Sequence, residues 1–291
     1  MSNGKNTSKK RKENLLYLTW SRLRKNKMAM LGLVIISILA LLAIFAPLIM
    51  PYGYEEIDIL NSLQGPSKAH WFGTDDLGRD IFSRLIYGGR YSLRIGIIAV
   101  AFATVAGAAL GSIAGFYGGA FDMFIMRALD ILQAVPGLIL SIAVSATLGP
   151  GFTNCIIALA IGMVPSFARM TRASILNIRQ MEYLEAATSI NASNFRIIVK
   201  HVLPNALSPL IVQAAMSVAS AILVAASLSF IGLGVQPPTP EWGAMLSAGR
   251  NYIRNYPHMV IFPGLTIMVA VFSLNILGDG LRDALDPKLK Q

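Results

Sequence analysis

The sequence predicts an all-α polytopic membrane protein with six transmembrane helices, and three observations predict it. Of 291 residues, 54% are hydrophobic and only 14% charged, which does not describe a water-facing surface. Five long stretches carry no charge at all: 28–49, 95–121, 131–168, 202–240 and 255–278. Glycine and proline punctuate these stretches where helices would have to stop.

Residues 28–49 form a helix of about 33 Å at 1.5 Å per residue, enough to cross a hydrocarbon core about 30 Å thick. Because 27 residues precede this run and no small-residue cleavage site follows it, it reads as a retained anchor rather than a signal peptide. Residues 95–121 make the second span, in which Gly107, Gly111, Gly115 and Gly119 recur every fourth residue and predict close approach by another helix. The stretch 131–168 is too long for one crossing. Gly149-Pro150-Gly151 divides it into 131–148 and 152–168, joined by a tight hairpin. The fifth helix is expected to end near Leu233, because Pro237, Pro238 and Pro240 cannot continue one. The sixth occupies 255–278.

Six crossings put both termini on one side, and the basic residues choose it. With both ends cytoplasmic, 18 of the 25 Lys and Arg lie inside and seven outside, which favours that orientation. Nine of them precede the first span and act as a topology determinant and anchor to anionic lipid, each worth about 1 kcal/mol near the surface. This reading accounts for the +10 net charge without nucleic acid. The single Cys155 and the scattered His70, His201 and His258 indicate neither a disulfide framework nor a metal centre.

No phosphate-binding loop of the form G-x-x-x-x-G-K-[ST] occurs, so this chain is not expected to bind and hydrolyse ATP. No chain of mid-membrane carboxylates or histidines suggests a proton relay. Arg127 and Asp130, spaced i,i+3 on one helix face, read as a structural charge pair or a bond to a neighbouring helix. A self-contained carrier or channel, and a membrane-embedded enzyme, are the rival readings; the spans hold almost no ionisable residues for the first, and Asp75, Asp76 and His70, the only candidates for the second, are better read as loop structure. No catalytic residue is assigned. Energy must then come from another protein, and the inner loop 169–204 shows how. Residues 183–190 and 194–202 read as two short helices broken at Asn191, the second opened by Ser193 and stopped by Pro204, presenting an apolar ridge to a partner.

Glu185-Ala186-Ala187, the turn residue Asn191, and Leu203-Pro204 resemble the coupling loop of ATP-binding-cassette importer permeases. Asn191 stands where that family's pattern has glycine, a replacement that tolerates the left-handed conformation. His201 stands where the general pattern has isoleucine, and the peptide-permease branch shares that departure. The run from His70 to Arg84, containing Phe72, Gly73, Thr74, Asp75, Gly78, Arg79 and Asp80, resembles the outer-loop signature of the C-type subunit of dipeptide, oligopeptide and nickel importers. The runs 126–130, 228–243 and 277–287 are similar to the same branch, so the likeness covers all but the tail before about Lys12.

The resemblance implies a type I importer transmembrane domain at 91–280, with a five-helix core at 95–278. Around it lie a basic tail at 1–27, a peripheral first helix at 28–50, an extracytoplasmic loop at 51–90 and a C-terminal tail at 281–291. It implies four kinds of partner: a homologous second permease subunit, two ATPase subunits holding ATP and magnesium, an extracytoplasmic substrate-binding protein, and the bilayer of the bacterial inner membrane. The substrate is expected to be a di- or oligopeptide, with nickel or a nickel chelate as the alternative. In the outer signature, charges of both signs predict internal pairing that shapes the loop, or contact with the binding protein. Trp242 is expected to anchor at the bilayer interface. Gln133, Asn154, Gln213 and Ser217 are polar residues within spans that could line a pathway or bond a neighbouring helix.

Overall fold

The structure, a computed structural model, describes residues 15–179, 181, 196, 198 and 203–285. Among them regular structure is helical: α1 (Leu15–Leu23), α2 (Lys27–Ile44), α3 (Ala46–Ile49), α4 (Ile81–Tyr117), α5 (Gly119–Gln133), α6 (Gly137–Leu148), α7 (Phe152–Arg179), α8 (Leu203–Phe230), α9 (Trp242–Gly249) and α10 (His258–Leu285). Five of these, α2, α4, α7, α8 and α10, are long and apolar enough to cross a membrane. A sixth candidate passes the same test only as a bent pair of helices. The expected third span at 131–148 is instead the pair α5 and α6, bent by 87° between Gln133 and Gly137. Pro136, which lacks a backbone N–H, caps the second half.

α4 starts 14 residues earlier than the uncharged stretch suggested and runs for 37 residues, about 55 Å. Arg84, Arg90 and Arg94 therefore sit on a helix, not in a loop. α4 ends at Gly118, whose φ of +66° turns the chain into α5 before the expected end at residue 121. α7 extends to Arg179, so Arg169 and Arg172, expected in the inner loop, are helical. The elbow around 183–202 lies outside the described residues, except Arg196 and Ile198.

α4 is the axis of the bundle. Towards one end, Ile81, Leu85 and Leu93 pack with Ile222 and Ala226 of α8, Met245 of α9 and Ile267 of α10. Further along, Ile95 and Ala99 meet Cys155, Ile156 and Leu159 of α7 and Leu228 of α8. The glycine stripe explains how α7 comes so close. Cβ atoms at Gly107 and Gly111 would collide with Phe167 and with the Ala168 carbonyl, and one at Gly115 would stand 3.1 Å from Ile175. Lipid tails give apolar helices no solvophobic reason to associate, so backbone proximity and dispersion hold this seam. Gly119 stands outside the stripe, with nothing within 4 Å of a built Cβ.

Candidate functional site

At one end of the bundle the chain between α3 and α4 and the chain between α8 and α10 form one cap. Asp80, in extended conformation, accepts a 2.7 Å hydrogen bond from the Ser83 backbone N–H and so starts α4. Its other oxygen faces His70 Nδ1 at 3.0 Å. Asp75 closes the preceding turn: one oxygen accepts from the backbone N–H groups of Leu77 and Arg79, the other from Arg79 Nε at 2.7 Å. Thr74 and Asp80 pair as an isolated bridge, and Phe72 stacks on Phe262 of α10 with centroids 4.1 Å apart. The signature residues thus come together, and their charges face one another.

Arg84 ties this loop to its surroundings. It is 5% exposed, and its guanidinium donates to the Tyr54 carbonyl at 2.7 Å and the Pro238 carbonyl at 3.4 Å, with Nε 3.6 Å from Asp75. Beneath it, a Cβ at Gly88 would overlap the Pro240 carbonyl, so only glycine lets the second loop lie against α4. Tyr54 stacks on Tyr87 at 3.9 Å; loss of solvent, then hydrogen bonds to Glu55 and Tyr87, hold its phenol above the ordinary range.

Trp242 corrects an expectation. It is 2% exposed, its indole N–H donates to the Leu85 carbonyl at 2.9 Å, and it packs in the core rather than at the bilayer interface. Two adjacent facts bury it: Glu241 caps α9 through the Ala244 N–H at 3.0 Å, and its second oxygen accepts from the Ser92 hydroxyl at 2.9 Å. Arg84 is among the loop charges expected to pair, whereas Glu241, Ser92 and His258, whose Nε2 lies 3.3 Å from the Thr74 carbonyl, are given no role from sequence. The available signal was the acidic residue directly before the helix-opening Trp242-Gly243.

At the opposite end of α7 two ion pairs fasten α5. Arg172 grips Asp122 with Nε and Nη2 at 2.5 and 2.6 Å, and Arg169 donates to Asp130 at 2.7 Å. The Arg127–Asp130 pair within one helix is therefore replaced by a bond between helices. Arg127 is exposed and has no ion pair among the described residues. Of the polar span residues, Asn154 donates to the Leu148 and Gly149 carbonyls and locks the α6–α7 hairpin. Gln133 is exposed, Ser217 half-buried, and Gln213 faces a cavity between α7, α8 and α10. Of the coupling residues, Glu185, Ala186, Ala187 and Asn191 lie outside the described residues, while Leu203 and Pro204 open α8. Among the described residues no cluster of three His, Cys, Asp or Glu could hold a metal.

Known proteins resemble this arrangement along most of the chain. Residues 107–291 match the family described as the inner membrane component of binding-protein-dependent transport systems, and 14–66 match the N-terminal transmembrane domain of oligopeptide transport permease C. The dipeptide transport system permease of Alkalihalophilus pseudofirmus is 51% identical over 93% of this chain and 89% of its own. The glutathione transport system permease of Pectobacterium atrosepticum is 46% identical over 93% and 90%. Among solved structures, an inward-facing methionine ABC transporter covers 70% of this chain and 96% of its own at TM-score 0.56 and 20% identity. An amino acid ABC transporter crystallised with histidines reaches 0.51 at 16% identity, covering 66% and 89%. At these identities the structures speak for the fold alone.

Proposed function

Because the chain belongs to the family of inner-membrane components of binding-protein-dependent transport systems, we propose that it is the C-type permease subunit of a peptide importer. It is a multi-pass membrane protein that forms half of a translocation pathway for di- or oligopeptides. The observation that carries this is the near-full-length identity of 51% to a dipeptide permease, which includes the peripheral first span as well as the core. Nickel, the alternative left open by the sequence, is not favoured, since the relatives above bear dipeptide and glutathione names.

The finer assignment has this chain pair with a homologous permease, two ATPase subunits and an extracytoplasmic binding protein, with both termini cytoplasmic. ATP and magnesium belong to the ATPases, and this chain is not catalytic. ATP-driven closure of the ATPases pushes the Glu185–Pro204 elbow and rocks the bundle between inward- and outward-open forms. The rigid cap built on Asp75, Asp80 and Arg84 is the surface that receives the binding protein. What supports the reading is that α7 ends at Arg179 and α8 begins at Leu203 at the end of the bundle opposite the cap, with the Glu185–Pro204 segment between them in sequence.

Affinity purification of the tagged chain in mild detergent, with the co-purifying chains weighed, tests the assembly. A second six-span permease together with ATPases bearing phosphate loops is expected. The chain emerging alone, with transport indifferent to ATP depletion, would point to a self-powered carrier instead.

A further inference from the structure

We propose that the open cavity between α7, α8 and α10 is a peptide-binding site inside the permease, in which Arg282 receives the terminal carboxylate; this rests on the peptide-import reading above. The cavity holds about 500 Å³, within the range of about 300–1,000 Å³ usual for small-molecule sites. Ser208, Val212 and Met216 line it from one stripe of α8, joined by Gln213, by Met170 of α7 and by Arg282 near the end of α10. Gln213 lies about 15 Å along α8 from Leu203, so the cavity reaches well into the bundle from the end at which α8 begins.

Its chemistry matches a peptide group by group. Arg79, Arg84, Arg169 and Arg172 each face a carboxylate, but Arg282 has none among the described residues although Asp279 and Asp283 flank it. A guanidinium with no ion pair among the described residues, at the edge of an open cavity, can take a carboxylate through two parallel hydrogen bonds. Gln213, which likewise has no side-chain hydrogen bond among the described residues, offers a donor and an acceptor to a peptide amide. The unbranched, polarisable side chains of Met170 and Met216 adapt to side chains of different shape, as a carrier of many peptides requires. On the proposed topology the site opens to the cytoplasm and holds the peptide just before release.

The test uses the full importer carrying Val212→Cys in inside-out vesicles, where a charged thiol reagent reaches the cavity while Cys155, 0% exposed, stays silent. Alanyl-alanine added on the cytoplasmic side is expected to slow modification roughly tenfold at about ten times its half-protecting concentration, and its C-terminal amide to do far less. Adding Arg282→Gln should erase the difference between the two peptides, and Arg282→Lys should restore part of it. Failure of the reagent to reach the new cysteine, equal protection by both peptides, or protection by neither would overturn the site. Uptake of labelled alanyl-alanine and of longer peptides is measured in right-side-out vesicles of the unsubstituted importer. Uptake without protection overturns the site alone, whereas no uptake of any di- or oligopeptide overturns the peptide reading.

Discussion

The Ser92 hydroxyl donates to the Glu241 carboxylate at 2.9 Å across 149 residues of sequence, and the same hydroxyl oxygen accepts from the Trp242 backbone N–H at 3.2 Å. This junction joins the first third of α4 to the start of α9 and, with Arg84 and Gly88, positions the second loop. Glu241→Ala removes both the helix cap and the carboxylate that Ser92 faces. A loss of about 2 kcal/mol is expected, from roughly 0.5–2 for the cap and 0.5–1.5 for the hydrogen bond. Glu241→Gln should retain most of it. Denaturation in detergent measures both; equal stability of Glu241→Ala and the parent would remove the junction's role.

Burial of Trp242 predicts its optical behaviour. With Trp20 and Trp71 replaced by Phe, the remaining indole should emit at short wavelength and resist both aqueous acrylamide and brominated lipid. Quenching by the lipid would return Trp242 to the bilayer interface. Trp242→Ala should cost about 3–5 kcal/mol through the cavity it leaves.

Bulk should be rejected inside the α4–α7 seam and accepted outside it, at the start of α6. Gly111→Leu drives a side chain into the Ala168 carbonyl and Thr171, and is expected to lower stability by about 1–3 kcal/mol or more. Gly137→Ala, with nothing within 4 Å, should be neutral or slightly stabilising. Thermal stability in detergent, with membrane yield beside it, distinguishes them; equal yields and midpoints would mean that the seam is not close-packed.

The clasp between α5 and α7 yields to a double-mutant cycle. Asp122→Ala and Arg172→Ala should each destabilise, with a coupling of about 0.5–1 kcal/mol, because the pair is bidentate but partly exposed. Strict additivity of the two losses would show that the pair contributes nothing to holding α5.

Much of this fold is legible in the residues themselves. Gly149-Pro150-Gly151 announces the α6–α7 hairpin, and the four-residue glycine period announces the α4–α7 seam, because both are local backbone demands. The beginning of α4 is hidden, since Arg84, Arg90 and Arg94 keep residues 81–94 out of the uncharged stretch, although the charge of Arg84 is satisfied by carbonyls 30 and 154 residues away. The 87° bend is hidden by continuous apolar character around Pro136. Trp242 reads as an interfacial aromatic because nothing local tells that Pro240 can lie on Gly88 and draw it inward. In the cap, the acidic and basic residues are legible as a set, but which oxygen meets which guanidinium is a tertiary fact.

The central claim is that this chain passes peptides using energy delivered at Glu185. ATP-dependent accumulation of a labelled dipeptide in proteoliposomes holding both permeases, the ATPases and the binding protein tests it most directly. The parent should accumulate the dipeptide only with ATP, and the double replacement Glu185→Ala with Ala187→Glu should insert normally yet accumulate none. Accumulation that persists without ATP, or proceeds at the parent rate in the double variant, would contradict the account.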